Sequence, residues 1–553
     1  MAERRRARLT APLLAVALAW LVGYPLLLVV LEALRPAGEW SLGAFARFAA
    51  RRDEWQALWR TVWISLASVA AAGAVGTPLG FLFARSRFPG RRALTALLTL
   101  PVALPPLVGV IAFLFLYGES GLLARLLMDA LGLAAAPWEL RGAWAILLVH
   151  AYSMYVYFFL FVRAALLRAD PSMEEAAASL GAGRLRTFFA VTLPALRPAL
   201  TAASLLAFLT SIASFSAPYI FGGNFRVMTT QIVASKLNGN LPQAMAESVV
   251  LALLALLALA ASQPLQGRAR LASVAHGVTP QRAPRLRGWR QGAVTAAAWA
   301  LAALLLLPHA TLLLLSLVPW GTWTIEALPP VLDFSNYRRL VAEPEALRPV
   351  LNSLWMAGLA SALALALGFA AARAAALRGG RLGRLLEGLV ALPWAVPGTV
   401  FAIALAVAFS VDAPALGRVL LVGTPWLLPL AYLLRALPLT GRAAVAGMRQ
   451  LDPALEEAAA SLGAGRLRTL GRVVLPLLWP VLAAGLSVAF VTALGDFVTS
   501  ILLYTYDNRP IAIEILSNLR LQETGLAAAY GVLLMVLSAA ALLAWGEGRE
   551  VRS

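Results

Sequence analysis

The sequence contains no cysteine, which excludes a disulfide framework, a thiolate site and cysteine-ligated iron–sulfur clusters. Histidine is nearly as scarce: His150, His276 and His309 are scattered and read as structural or solvated positions. Only one lysine occurs, Lys236, and it lacks the Gly-x-x-x-x-Gly-Lys-[Ser/Thr] context of a phosphate-cradling loop. Charged residues make up just 13% of the chain. With no His/Glu metal set and no nucleophile constellation, a membrane-embedded enzyme is a poor reading of these residues.

What fills the chain is apolar. It is 61% hydrophobic, with a mean hydropathy of +0.78, and apolar runs of about 18 residues or more recur from end to end, which marks an all-α polytopic membrane protein embedded in a lipid bilayer. The formal charge of +19 would suggest nucleic acid in a soluble protein. Here the arginines concentrate in alternate loops, as the positive-inside rule expects, so no nucleic-acid partner is expected. Arg4, Arg5, Arg6 and Arg8 precede a first span at about 9–31, too long for a signal-peptide core. Further spans are expected at about 58–84, 94–117, 142–166 and 199–221, with a sixth ending near 261. A second set follows at about 293–318 and 351–372, then a span carrying Pro393 and Pro397, another from about 425, and the last two at 481–504 and 525–545. These make about twelve transmembrane helices in two related six-helix halves, 1–262 and 292–553, with both termini cytoplasmic. The segment 263–291, rich in arginine, proline and glycine and free of acids, reads as a cytoplasmic linker.

One polar segment occurs twice. Residues 174–187 and 456–469 are identical, each following Asp-Pro (Asp170 and Asp452) and leading to a proline, Pro194 or Pro476. Each Asp is a candidate N-cap and each following proline suits a first helical position. Glu174, Glu175, Glu456 and Glu457 sit where negative charge suits the helix dipole. Gly181 and Gly463 can supply the left-handed residue that ends a helix. The expected unit is a short helix, a sharp turn, and a second short helix opening with Arg184 or Arg466 and delimited by the proline. Both copies fall in basic-side loops, 168–198 and 449–480, between the fourth and fifth spans of their half.

These residues resemble the EAA motif of ABC-importer permeases, whose pattern is Glu-Ala-Ala, three residues, then Gly. Glu175, Ala176, Ala177 and Gly181 meet it once, and Glu457, Ala458, Ala459 and Gly463 meet it again. The resemblance extends over nearly the whole chain, to the proline-bearing third and ninth spans and to Asn352-Ser353-Leu354, where the first half departs with Arg60-Thr61-Val62. It implies the type I ABC-importer permease fold in a fused, two-copy form similar to ferric-iron and thiamine permeases of bacterial inner membranes. It also implies separate ABC ATPase subunits, a homodimer gripping both loops, that use ATP and Mg; this chain itself binds no cofactor. An extracytoplasmic binding protein is implied as the substrate donor. Ferric iron leads as substrate, with thiamine, polyamine and phosphonate as alternatives. Rival readings are a major-facilitator carrier, which keeps its basic signature loop between the second and third helices, and an ABC exporter, which generally lacks this loop motif.

For the substrate path the candidates are Ser214, Phe215 and Tyr219 at the end of the fifth span, and Asp496, Phe497 and Thr499 at the equivalent end of the eleventh. A carboxylate within a membrane helix is costly, so Asp496 is expected to face a central cavity. Tyr152, Tyr155, Tyr157 and Phe158 read as packing residues.

Overall fold

The computed structural model describes residues 11–36, 39–272, 288–323, 326–410 and 420–546, and among these every regular element is a helix. The first half holds α1 (Ala11–Leu34), α2 (Arg52–Arg85), α3 in two pieces (Arg91–Ala103 and Pro106–Tyr117), α4 (Gly142–Arg168), α5 (Arg184–Ile212) and α6 (Leu241–Ala272). The second holds α7 (Gly288–Ser316), α8 (Pro344–Arg378), α9 in two pieces (Gly380–Ala395 and Gly398–Ala408, bent by 108°), α10 (Leu427–Gln450), α11 (Arg466–Leu494) and α12 (Thr524–Gly546). Ten helices among the described residues are long and apolar enough to cross a membrane, or eleven with α9. The twelfth, α10, is less apolar because it carries Arg435, Arg442 and Arg449.

Helix contacts rest on small residues, as expected where apolar burial cannot drive association between helices already in lipid. A Cβ on Gly76 of α2 would lie 2.2 Å from the Tyr155 carbonyl oxygen of α4, so only glycine permits that approach. In the second half a Cβ on Gly368 of α8 would lie 2.8 Å from the Gly441 nitrogen of α10, where the Thr440 hydroxyl donates to the Ala364 carbonyl at 2.8 Å. The expected packing tyrosines do pack: Tyr155 is buried, and its hydroxyl donates to the Leu98 carbonyl at 2.6 Å. The first helix of each half crosses to the other: α1 packs on α9, with Trp20 edge-on to Phe409, and α7 packs on α3, with His309 3.1 Å from the hydroxyl of Tyr152 on α4.

The pseudo-twofold relation explains the departure at Arg60-Thr61. The Thr61 hydroxyl accepts from the Met228 N–H at 2.8 Å, and Ser353 accepts from the Ile511 N–H at the same distance. Asn352 donates to the Asp507 and Arg509 carbonyls, and Arg60 reaches the Asn224 carbonyl at 2.7 Å. Different side chains tie the same loop to the same helix start.

Three boundaries differ from expectation. The helix after each repeated loop does not stop at Pro194 or Pro476. A π-turn, Phe188–Thr192 or Leu470–Val474, precedes each proline and absorbs its missing N–H, so α5 and α11 run unbroken from the loop. These helices also end early, at Ile212 and Leu494; short helices Ser216–Phe221 and Val498–Leu503 follow after a break. The expected linker is helical at both ends, with 273–287, including His276, outside the described residues.

Candidate functional site

The repeated loops fold alike. Asp170 Oδ1 accepts from the Ser172 N–H and Asp452 Oδ1 from the Ala454 N–H, both at 2.9 Å, capping the helices Ser172–Ser179 and Pro453–Ser461. Each helix ends in a paired reverse turn. The Gly181 N–H reaches the Ala178 carbonyl and the Ala182 N–H the Ala177 carbonyl; Gly463 and Ala464 repeat this with Ala460 and Ala459. Gly181 and Gly463 sit at φ +77° and +76°, in the left-handed region that the pattern required.

The two glutamates of each motif part company. Glu174 turns back to Arg85 at the end of α2 and accepts from the Thr192 hydroxyl at 2.6 Å; Glu456 takes a two-pronged contact, 3.0 and 3.2 Å, from Arg373 of α8. Partial desolvation raises the Glu174 pKa, but the bonds from Arg85 and Thr192 and the Arg85 charge outweigh it and hold the carboxyl below its ordinary value. Glu175 and Glu457 face outward, as do Ala176, Ala458, Arg184 and Arg466. Beside them Leu180 and Leu462 are each 88% exposed, with Leu185, Leu467 and Met173 also bare. An apolar patch rimmed by charge, present twice, has the character of a protein-docking surface.

The helix breaks meet at the midline. A Cβ on Gly495 would lie 2.3 Å from Pro105 Cβ, so the breaks of α11 and α3 touch across the halves. Phe215, Tyr219 and Phe497 form one cluster, with centroids 5.0 to 5.9 Å apart, and Arg520 donates to the Tyr219 hydroxyl at 2.6 Å. Lys236, the one lysine, bridges the halves by donating to the Leu502 carbonyl. The structure therefore brings Phe215, Tyr219 and Phe497 together. Ser214 instead bonds His150 Nε2 at 2.9 Å, while His150 Nδ1 faces Ser68 at 2.8 Å and Ser211 at 3.3 Å, the structural role expected of that histidine.

Asp496 does not open into a cavity. Its side chain is 2% exposed and fully engaged: Oδ1 accepts from the Thr499 N–H at 2.9 Å, and Oδ2 from the Thr499 hydroxyl at 2.8 Å and from Arg435 at 3.1 Å. A buried carboxylate lowers its cost by pairing, and that need outweighs exposure to the path. Arg435, 28% exposed, lies close over Gly398 at the break of α9 and also reaches Thr499 Oγ1 at 3.2 Å, so one guanidinium joins two helix breaks. The offset of 282 that relates the repeats pairs Asp496 with Ser214 and Tyr432 with His150, but the bonds differ: Ser214 bonds His150, whereas Asp496 pairs with Arg435 and Tyr432 bonds the Ser500 hydroxyl at 2.6 Å. The sequence reading missed Arg435, although an arginine between Leu434 and Ala436 in an apolar helix is itself a signal. Glu54 is fully buried in the first turn of α2, accepting from Gln243 at 3.2 Å beside an equally buried Glu247.

Among the described residues, twelve helices in two halves, two matching polar loops and paired helix breaks at the midline define a membrane transport permease. Residues 76–266 and 364–545 match the family described as the binding-protein-dependent transport system inner membrane component. The chain is 32% identical to the probable ABC transporter permease protein y4fN of Sinorhizobium fredii, over 96% of this chain and 94% of that one. It is 30% identical to the ferric transport system permease protein FbpB of Actinobacillus pleuropneumoniae, over 85% of this chain and 68% of that one. The molybdenum transport system permease protein ModB of Escherichia coli is 34% identical over 31% of this chain and 73% of its own length. The chain belongs to the family of binding-protein-dependent inner-membrane permeases, with the family domain present twice. It is a fused, two-copy ABC-importer permease.

Proposed function

We propose that this permease imports ferric iron delivered by an extracytoplasmic binding protein, driven by a pair of separate ATPase subunits docked on the loops around Gly181 and Gly463. The observation that carries the reading is the continuity of each loop with its helix. From Arg184 or Arg466, 29 residues run to the break beside Phe215 or Phe497, roughly 43 Å of unbroken helix. A tilt at the docking loop is thereby delivered to the midline. Glu174 and Glu456 fasten the loops to α2 and α8, so each half moves as a body. The halves, 1–262 and 292–553 joined by 263–291, would rock between inward and outward openings, a population shift set by differential contacts with the ATPase. In this reading Glu175, Glu457, Ala176, Ala458, Arg184 and Arg466 face the ATPase on the cytoplasmic side, and the Phe215, Tyr219 and Phe497 cluster is the constriction that parts.

Ferric iron is supported by the match to FbpB over most of the chain. A second reading, an oxyanion such as molybdate, is supported by the ModB match, which spans a smaller share. Vesicles containing the permease, its ATPase and its binding protein are expected to accumulate radio-iron in an ATP-dependent manner and to leave molybdate outside. Accumulation of molybdate without iron would replace the first reading by the second.

A further inference from the structure

The arginines of the α2–α3 turn are not merely spread over a basic face; they line a hollow. A cavity of about 1090 Å³ is bounded by Arg87, Arg91 and Arg92 of that turn, Arg163 near the end of α4, Thr95 of α3 and Gln291 at the start of α7. A contiguous space of about 500 Å³ runs along α7, past Thr295. Among the described residues none of these four guanidiniums forms an ion pair; the one hydrogen bond among them is from Arg91 to the Ser86 carbonyl, 3.1 Å. Two buried donors on lining residues stand without partners, Arg163 Nε at the main cavity and Thr295 Oγ1 at its extension. Four like charges held together around unfilled donors repel one another, and a multi-oxygen anion would relieve both costs.

The position selects the anion. The cavity lies at the end of α2, α3, α4 and α7 that carries the repeated loops, where the chain leaves the apolar zone. Trp299 packs against Gly90, which the turn holds at φ +75°, and Trp289, at the start of α7, is widely exposed. The start of α7 at Gly288 adds the positive end of a 29-residue helix dipole. Above it α7 presents exposed Leu304 and Leu307, a surface along which acyl chains can lie. A basic pocket between transmembrane helices at the interface is suited to an anionic lipid headgroup.

We propose that this cavity binds the phosphate of an anionic phospholipid, with Arg91 and Arg163 as the principal ligands and Arg87 and Arg92 at the rim. The lipid would join the α2–α3 turn of the first half to α7, the first helix of the second, which no residue of the turn does by ion pairing.

The test is native mass spectrometry of the full chain in detergent, with phosphatidylglycerol, phosphatidylcholine or inorganic phosphate added separately. Wild type should retain phosphatidylglycerol at least ten times better than phosphatidylcholine. Arg91→Gln with Arg163→Gln should remove that preference. If the double variant does not survive purification, Arg87→Gln with Arg92→Gln, at more exposed positions, should lower it at least threefold. Equal retention of the two lipids by wild type overturns the proposal, as does undiminished preference in the arginine variants. Millimolar inorganic phosphate should not displace the lipid; displacement, with phosphate alone retained by the arginines, would assign the cavity to free phosphate and overturn the lipid assignment.

Discussion

Replacing Arg435 with methionine should abolish transport and reduce the yield of folded permease, and adding Asp496→Asn should restore part of both. The guanidinium is the charge partner of a carboxylate whose side chain is 2% exposed. Removing one member of such a pair leaves an uncompensated buried charge and costs about 3–5 kcal/mol. That is a large share of the stability of a typical fold. Asp496→Asn alone should be milder, because the asparagine oxygen can still accept from the Thr499 N–H, and Arg435, 28% exposed, can turn toward water. The expected order of damage is Arg435→Met, then the double variant, then Asp496→Asn, measured as uptake and as thermal melting in detergent. If the two single losses simply add, the residues do not act as a pair. If Asp496→Asn abolishes uptake while melting as wild type, the carboxylate serves the substrate directly, as the sequence alone suggested.

The second large effect is expected at the loop glycines. Gly181→Val together with Gly463→Val should cut uptake by about ten-fold or more while the twelve helices still insert. Both residues occupy the left-handed region, and an added Cβ would meet nothing within 4 Å at either position. The penalty is therefore backbone strain alone, roughly 1–2 kcal/mol per site, and more for a β-branched residue. Escape from that strain redirects the chain between the docking helix and α5 or α11. Gly181→Asn with Gly463→Asn should be nearly silent, since asparagine tolerates this conformation and space is available. Equal damage from valine and asparagine would point to contact with the glycine surface itself, and silence of both would remove the turn from the mechanism.

The loops were legible in the sequence because their rules are local. An Asp before a proline caps the next turn, and a glycine where a helix must reverse takes a positive φ, whatever surrounds them. Most of the spans were legible because a bilayer demands long apolar runs, although α10, with three arginines, falls short of that rule. Their ends were not. Pro194 and Pro476 look like terminators until a π-turn upstream absorbs the missing N–H, and the breaks at Ala213 and Gly495 leave hydropathy unchanged. Partners distant in sequence were also hidden. Asp496 was conspicuous, but its mate Arg435 lies on another helix, and Glu174 gave no sign that it would turn to Arg85 rather than outward. The aromatic meeting of Phe215, Tyr219 and Phe497 depends on how the two halves face one another, which no local pattern encodes.

If the ATPase docks on the two repeated loops, as proposed, binding should shield Leu180 and Leu462. The chain has no cysteine, so a single cysteine at Leu180 or at Leu462 can be read without background. Each position should react fully with a membrane-impermeant maleimide applied from the cytoplasmic side to the permease alone, since both leucines are 88% exposed. Each should be strongly protected once the ATPase is bound. Undiminished labelling at both positions in the assembled, transport-competent complex would place the ATPase elsewhere on the permease.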